Sequence, residues 1–133
     1  GVVQRVLLED GTVLAQKAVT YTKSRPTSLA KAVAEITHLT SLTHPNIVHI
    51  NGVEHDEMCS TVHLFMELVD AFGTLRDMIR QFGAMSEGSL RRYTHDILKG
   101  LQFLHRQRVV HNHLKPSNVL IDKDGVAKVS DFG

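Results

Sequence analysis

Three residues near the end of the chain have side chains that could act together on one ligand. Lys115 offers an ammonium, Asn118 an amide oxygen and Asp131 a carboxylate. Hard oxygen donors suit Mg²⁺ and an ammonium suits phosphate, so the set fits a metal-bound polyphosphate. A polar loop running from His111 through Asn112, His113, Leu114, Lys115, Pro116 and Ser117 to Asn118 lies between two apolar runs. Val109-Val110 leads in and Val119-Leu120-Ile121 leads out, and both read as short strands. The Asp124-Gly125 dipeptide predicts a hairpin turn, after which residues 126–129 return the chain to Asp131. That order puts Lys115, Asn118 and Asp131 on neighbouring strand ends.

The elements before this loop follow from periodicity. Residues 2–8 and 12–19 are β-branched, apolar runs joined at Glu9-Asp10-Gly11, a strong hairpin signal. In the second run Ala15 and Lys17 share one sheet face, because strand side chains alternate. Residues 21–27 read as a loop containing Pro26. Ser28 can cap a helix over 29–42, with Leu29, Val33, Ile36 and Leu39 on one stripe and Glu35 beside it. His44-Pro45-Asn46 ends that region. Strands are expected at 49–54 and 62–67, a short helix at 74–81 and a longer one at 86–105. The last puts Leu90, Tyr93, Ile97, Leu101 and Leu104 on one face. Strands and helices in this order make an α+β pattern.

Composition narrows the class. The chain has 133 residues, 42% hydrophobic and 22% charged, which is ordinary for a globular domain. A net charge of +1 gives no reason to expect nucleic acid or a membrane surface as partner. No apolar run nears the roughly 20 residues of a membrane span. Cys59 is the lone cysteine, which excludes an internal disulfide and fits a reducing, cytoplasmic setting. Neither nuclease nor zinc chemistry is supported by the His111-Asn112-His113 triplet, which lacks the hairpin-helix context and a metal-ligand spacing.

The loop and the Asp131-Phe132-Gly133 triplet resemble the catalytic and metal-binding loops of eukaryotic protein kinases, H-R-D-L-x-x-x-N and D-F-G. Further segments resemble the same family: Ala15-Gln16-Lys17, the run HPNIV at 44–48, and Leu64 to Val69, which is similar to the kinase hinge. Residues 91–105, RRYTHDILKGLQFLH, resemble the helix before the catalytic loop in serine/threonine kinases of the MEKK type. The resemblance implies a two-lobed kinase-like fold. Residues 1–66 would form the small lobe without its first strand, 67–70 the hinge and 71–133 the start of the helical lobe. It covers essentially all of this chain, whereas the chain covers about half of such a domain, with Gly1-Val2-Val3 as the tail of a glycine-rich loop. The chain is therefore expected to be part of a longer protein and poorly stable alone.

The resemblance also implies roles. Lys17, paired with Glu35, would hold the α- and β-phosphates of ATP. Asn118 and Asp131 would bind Mg²⁺, and Lys115 the transferred phosphate. Gly1, Val3, Ala15 and Leu120 would line the nucleotide, Met66 would be the gatekeeper, and the backbone of Glu67 and Val69 would meet adenine. Leu39, His111 and Phe132 match an apolar column of the family. Read without the family, Lys17 is an edge-strand lysine, Glu35 a solvated carboxylate and 64–69 a buried strand.

One departure bears on activity. Where the family has Arg-Asp, this chain has Asn112-His113. A neutral imidazole can accept a proton. The imidazolium formed would face Lys115 and Mg²⁺ as like charges, and a misplacement of about 1 Å can cost roughly 10²-fold in rate. Asn112 replaces an arginine that binds activation-loop phosphate, and an amide makes no charge-assisted fork. Two functions follow: a serine/threonine kinase phosphorylating a protein substrate, or a nucleotide-binding pseudokinase acting as scaffold or allosteric partner of another kinase.

Overall fold

The computed structural model describes residues 3–20 and 36–132, and Gly1, Ser28, Leu29, Val33, Glu35 and Gly133 lie outside them. The chain divides into two units, residues 1–42 with 49–68, and residues 43–48 with 69–133. Both are built on antiparallel sheets, and helices accompany them, as the α+β pattern predicts.

In the first unit, β1 (Val3–Leu7), β2 (Val13–Thr20), β3 (Ile50–Asp56) and β4 (Thr61–Glu67) form one sheet in the order β1-β2-β4-β3. The Asp10-Gly11 turn joins β1 to β2 as expected, with the Asp10 carboxylate accepting the Thr12 N–H at 2.8 Å. Val3 lies opposite Lys17 and Arg5 opposite Ala15. On the other side Ala15 lies opposite Met66 and Lys17 opposite Leu64. Residues 36–40 are helical and end in a turn at Ser41, short of the expected 42.

The second unit holds β5 (Ala71–Thr74), β6 (Val119–Asp122) and β7 (Ala127–Val129) in the order β5-β6-β7. It also holds helices α1 (Leu75–Phe82) and α2 (Glu87–Arg106). Strand β5 takes residues 71–73, to which the sequence reading gave no element, and Thr74, which it placed in a helix. Thr74 is the cap of α1 and not its first turn: its hydroxyl accepts the Asp77 N–H, and the Asp77 carboxylate accepts the Thr74 N–H in return. Ser86 caps α2 through the Ser89 N–H. The core gathers Leu75, Tyr93, Val119, Ile121 and Ala127, with Met78, Met85 and Ile97 against it.

One helix face is only partly covered, and one expectation is corrected. Leu90 is 52% exposed although it falls on the apolar stripe of α2. Val109-Val110 is not a strand. Arg108 turns into the left-handed region (φ 61°) and the Val109 N–H closes the end of α2 on the Leu104 carbonyl, so no ladder forms.

The 44–48 segment is fastened to β7. Asn46 Nδ2 donates to the Ala127 carbonyl at 3.1 Å and the Asn46 carbonyl accepts the Val129 N–H at 2.9 Å. His44 stacks on Phe103 and its Nδ1 accepts the Asn46 N–H. Burial, and then the Lys99 cation, lower the His44 pKa from its usual value, which keeps that acceptor neutral. Gly100 of α2 lets the segment approach: a Cβ there would sit 2.5 Å from the Asn46 carbonyl oxygen. That oxygen already holds β7, so it cannot move away cheaply. Gly100→Ala should gain at most about 1 kcal/mol of helix propensity against roughly 1–3 kcal/mol of overpacking. The expected result is a lower urea midpoint, and a raised midpoint would contradict this packing. No helix among the described residues is long and apolar enough to cross a membrane.

Candidate functional site

The loop that carries Lys115 begins at the end of α2 and is tied down by its first histidine. His111 is buried. Its Nε2 meets the Ser130 carbonyl at 2.8 Å, so that nitrogen donates, and Nδ1 accepts the His113 N–H at 3.2 Å. Phe132 lies edge-on to the same ring at 6.5 Å. One imidazole thus spans the loop and the segment that leads to Asp131.

A second tie runs through Asn118. Residues Pro116–Asn118 form a 3-10 turn closed by the Asn118 N–H on the Lys115 carbonyl at 2.8 Å. The Asn118 carbonyl accepts both the N–H and the hydroxyl of Ser130, at 2.8 and 3.1 Å. Val119 pairs with Val129 across the ladder just beyond. Asn118 therefore opens β6, while Asp131 follows Ser130 past the end of β7, exposed and with φ 63°. α2 supports this hairpin from behind, where the Asp96 carboxylate accepts the Ala127 N–H at 3.1 Å.

The side chains at the surface of this frame have defined partners. Asn118 is buried, and its Nδ2 donates to the His113 carbonyl at 2.9 Å. That bond fixes the amide so that Oδ1, which has no partner among the described residues, is left as an available oxygen acceptor. The donor set of an amide oxygen with a nearby carboxylate fits Mg²⁺, which takes oxygen ligands and usually keeps several waters. His113 and Lys115 are exposed, and Lys115 Nζ lies 2.8 Å from His113 Nε2. Asn112 has φ 61°, and its Nδ2 turns back to the Val110 carbonyl at 3.3 Å. Among the described residues no group of three or more His, Cys, Asp or Glu could hold a metal ion.

In the first unit, the directly opposed pairs put Val3, Ala15, Lys17 and Met66 on one face of the sheet. Ala15 is buried, Lys17 and Met66 are half-buried, and Val3 is exposed. Glu67 closes β4 against β3: its N–H donates to the His49 carbonyl and its carboxylate accepts the His49 N–H, both at 2.9 Å. In the second unit Val69 and Leu120 are half-buried. The expected Glu35 and Gly1 contributions lie outside the described residues. Ser130, Asp96, Asn46 and Gly100 position the site without having been singled out by sequence reasoning. Their roles depend on contacts far apart in the chain, and only the HPNIV run hinted at one of them.

Comparison with known proteins gives one family over the whole chain. The profile of the family described as protein kinase domain matches residues 1–133. The chain is 38% identical to a probable serine/threonine-protein kinase of Dictyostelium discoideum over 92% of its own length. It is 34% identical to mitogen-activated protein kinase kinase kinase 3 of Homo sapiens. It is 37% identical to mitogen-activated protein kinase kinase kinase 2 of Arabidopsis thaliana, each match covering 95% of the chain. The matched region is 24% of the first relative and 20% of each of the other two, so the chain spans less than a quarter of these proteins.

Proposed function

Because the chain belongs to the protein kinase domain family, we propose that it is the ATP- and Mg²⁺-binding part of a serine/threonine kinase-like domain impaired in phosphoryl transfer. The observation that carries this reading is the 2.8 Å contact between Lys115 Nζ and His113 Nε2. An ammonium only donates, so Nε2 accepts. A carboxylate has about four lone-pair sites and can serve a lysine and a substrate hydroxyl together. A neutral imidazole has one, and here Lys115 occupies it. A hydroxyl arriving at His113 finds no acceptor for its proton.

The nucleotide side keeps residues of the right chemistry. Lys17, supported by Glu35, would hold the α- and β-phosphates, with Lys115 on the transferred phosphate. Val3, Ala15 and Leu120 would pack on adenine, Gly1 would lie over the phosphates, and Met66 with the 67–70 backbone would form the adenine-binding hinge. Asn118 and Asp131 would hold Mg²⁺, which neutralises phosphate charge when bound. Residues up to 66 would then be small lobe and those from 71 helical lobe. On this reading the partner is another kinase or a scaffolded protein, in the cytoplasm, and neither nucleic acid nor membrane is involved.

The active-enzyme reading has one observation in its favour. The Lys115–His113 pair is exposed, so water can open it and release the imidazole as a base. Measuring transfer in a sample whose Mg-ATP occupancy is known separates the two, since full occupancy with little transfer fits only the first.

A further inference from the structure

The 44–48 segment that fastens β7 is closed by a side chain that can titrate. His44 Nδ1 accepts the Asn46 N–H at 3.0 Å, a bond from side chain to backbone two residues on. Asparagine and aspartate close the same kind of turn with an oxygen. An amide oxygen accepts throughout the neutral range, whereas Nδ1 accepts only while it carries no proton. Asn46 in turn holds β7 at Ala127 and Val129, and the Val48 N–H donates to the Val129 carbonyl at 2.9 Å. Ser130 and Asp131 follow directly, with the Ser130 N–H on the Asn118 carbonyl at 2.8 Å.

The surroundings of the ring oppose its protonation. It stacks on Phe103 of α2 with centroids 4.9 Å apart. Burial first, and the Lys99 cation of α2 second, hold its pKa below the usual histidine value. Residues 43–48 carry no other charged side chain, and the charged residue of β7 is a further cation, Lys128. The carboxylate one turn before Gly100 on α2, Asp96, is engaged by the Ala127 N–H.

We propose that His44 is an acid-sensitive latch on the metal-binding end of β7. A proton on Nδ1 turns the acceptor into a donor facing the Asn46 N–H. The turn then opens, and β7 loosens together with the Ser130-Asp131 segment beyond it. The direction follows from linkage. With the closed-state pKa depressed, the open state binds more protons once the pH falls below the ordinary value of 6.5. The latch is fully effective above that pH and weakens from there down to the closed-state pKa. One proton is at stake, so the opening constant rises by at most roughly tenfold per pH unit.

The test is amide hydrogen exchange in the complete kinase domain carrying these residues, wild type against His44→Asn, from about pH 7.5 to about 5.5. Asparagine supplies the same acceptor without gaining a proton, and the other histidines titrate in both proteins. Comparing the two at each pH cancels intrinsic exchange. The ratio of wild-type to variant exchange at the Asn46, Val129 and Ser130 amides should be flat above pH 6.5. Below it the ratio should climb by up to roughly tenfold per unit, with no such climb in α1. Lys99→Gln should shorten the climb by returning the His44 pKa toward its usual value. A ratio independent of pH, including a constant offset from lost stacking on Phe103, would overturn the latch. An equal climb in α1 would make the loss global and overturn it too. A climb at Asn46 that leaves Val129 and Ser130 unmoved would overturn the reach to Asp131. The readout needs no nucleotide, so a domain that binds no Mg-ATP would refute the proposed function and not this inference.

Discussion

In a complete kinase domain carrying these residues, His113→Asp raises phosphoryl transfer by roughly a hundredfold or more, the scale of general-base catalysis. ATP affinity should change little, because on the proposed reading His113 would face the acceptor hydroxyl and not the adenine or the metal. The reason is an inventory of lone pairs. Lys115 takes the single acceptor of the neutral ring at 2.8 Å, whereas a carboxylate can hold Lys115 with one oxygen and orient the hydroxyl with the other. A carboxylate also stabilises the cations around it, where an imidazolium would be repelled. The Asn118 amide bonds the backbone carbonyl of residue 113 and not its side chain, so the exchange should leave the loop in place. The measurement is the initial rate at saturating ATP, wild type against variant. An unchanged rate would mean that the defect lies outside residue 113.

Mg-ATP should stabilise the same domain visibly, and Asp131→Ala should remove most of that effect. At about 100 times its dissociation constant a ligand adds ~2.7 kcal/mol, enough for a clear melting shift. The expectation rests on the frame that presents the two oxygen ligands. Ser130 is bonded to Asn118 through backbone and side chain, and Asp131 is the next residue. Removing its carboxylate leaves Asn118 alone to hold the metal, and Mg²⁺ is typically bound through one or two carboxylates together with substrate phosphates. Chelating the metal should abolish the shift in the wild type as well. A full shift that persists in Asp131→Ala would remove that residue from the metal site.

Much of this architecture was legible because local signals were strong. The Asp10-Gly11 and Asp124-Gly125 turns announced two hairpins, and alternation then put Ala15 and Lys17 on one face, where the strand register places Met66 and Val3 beside them. The helix caps at Ser86 and Thr74 were visible as residue types, although Thr74 was read as helix. Strand β5 was not legible: Ala71 to Thr74 contains a glycine and no alternation, and only pairing with β6 makes it a strand. Periodicity placed Leu90 on an apolar stripe but could not say how much of that stripe is covered. The supports behind the site were hidden for a related reason. Asp96 to Ala127, Gly100 against Asn46 and His111 to Ser130 each join residues distant in the chain. Above all, the sequence placed a histidine where an acid belongs, yet the identity of the ring nitrogen that Lys115 occupies depends on geometry.

The most direct test of impaired transfer by a nucleotide-binding domain is a single-turnover experiment. The complete domain is loaded with radiolabelled Mg-ATP to known occupancy, mixed with a generic serine-containing protein substrate, and sampled for labelled phosphoprotein over time. The account predicts full occupancy and a transfer rate at least about a hundredfold below that of His113→Asp run in parallel. A wild-type rate of ~1–100 s⁻¹, the range of ordinary kinases, would contradict it.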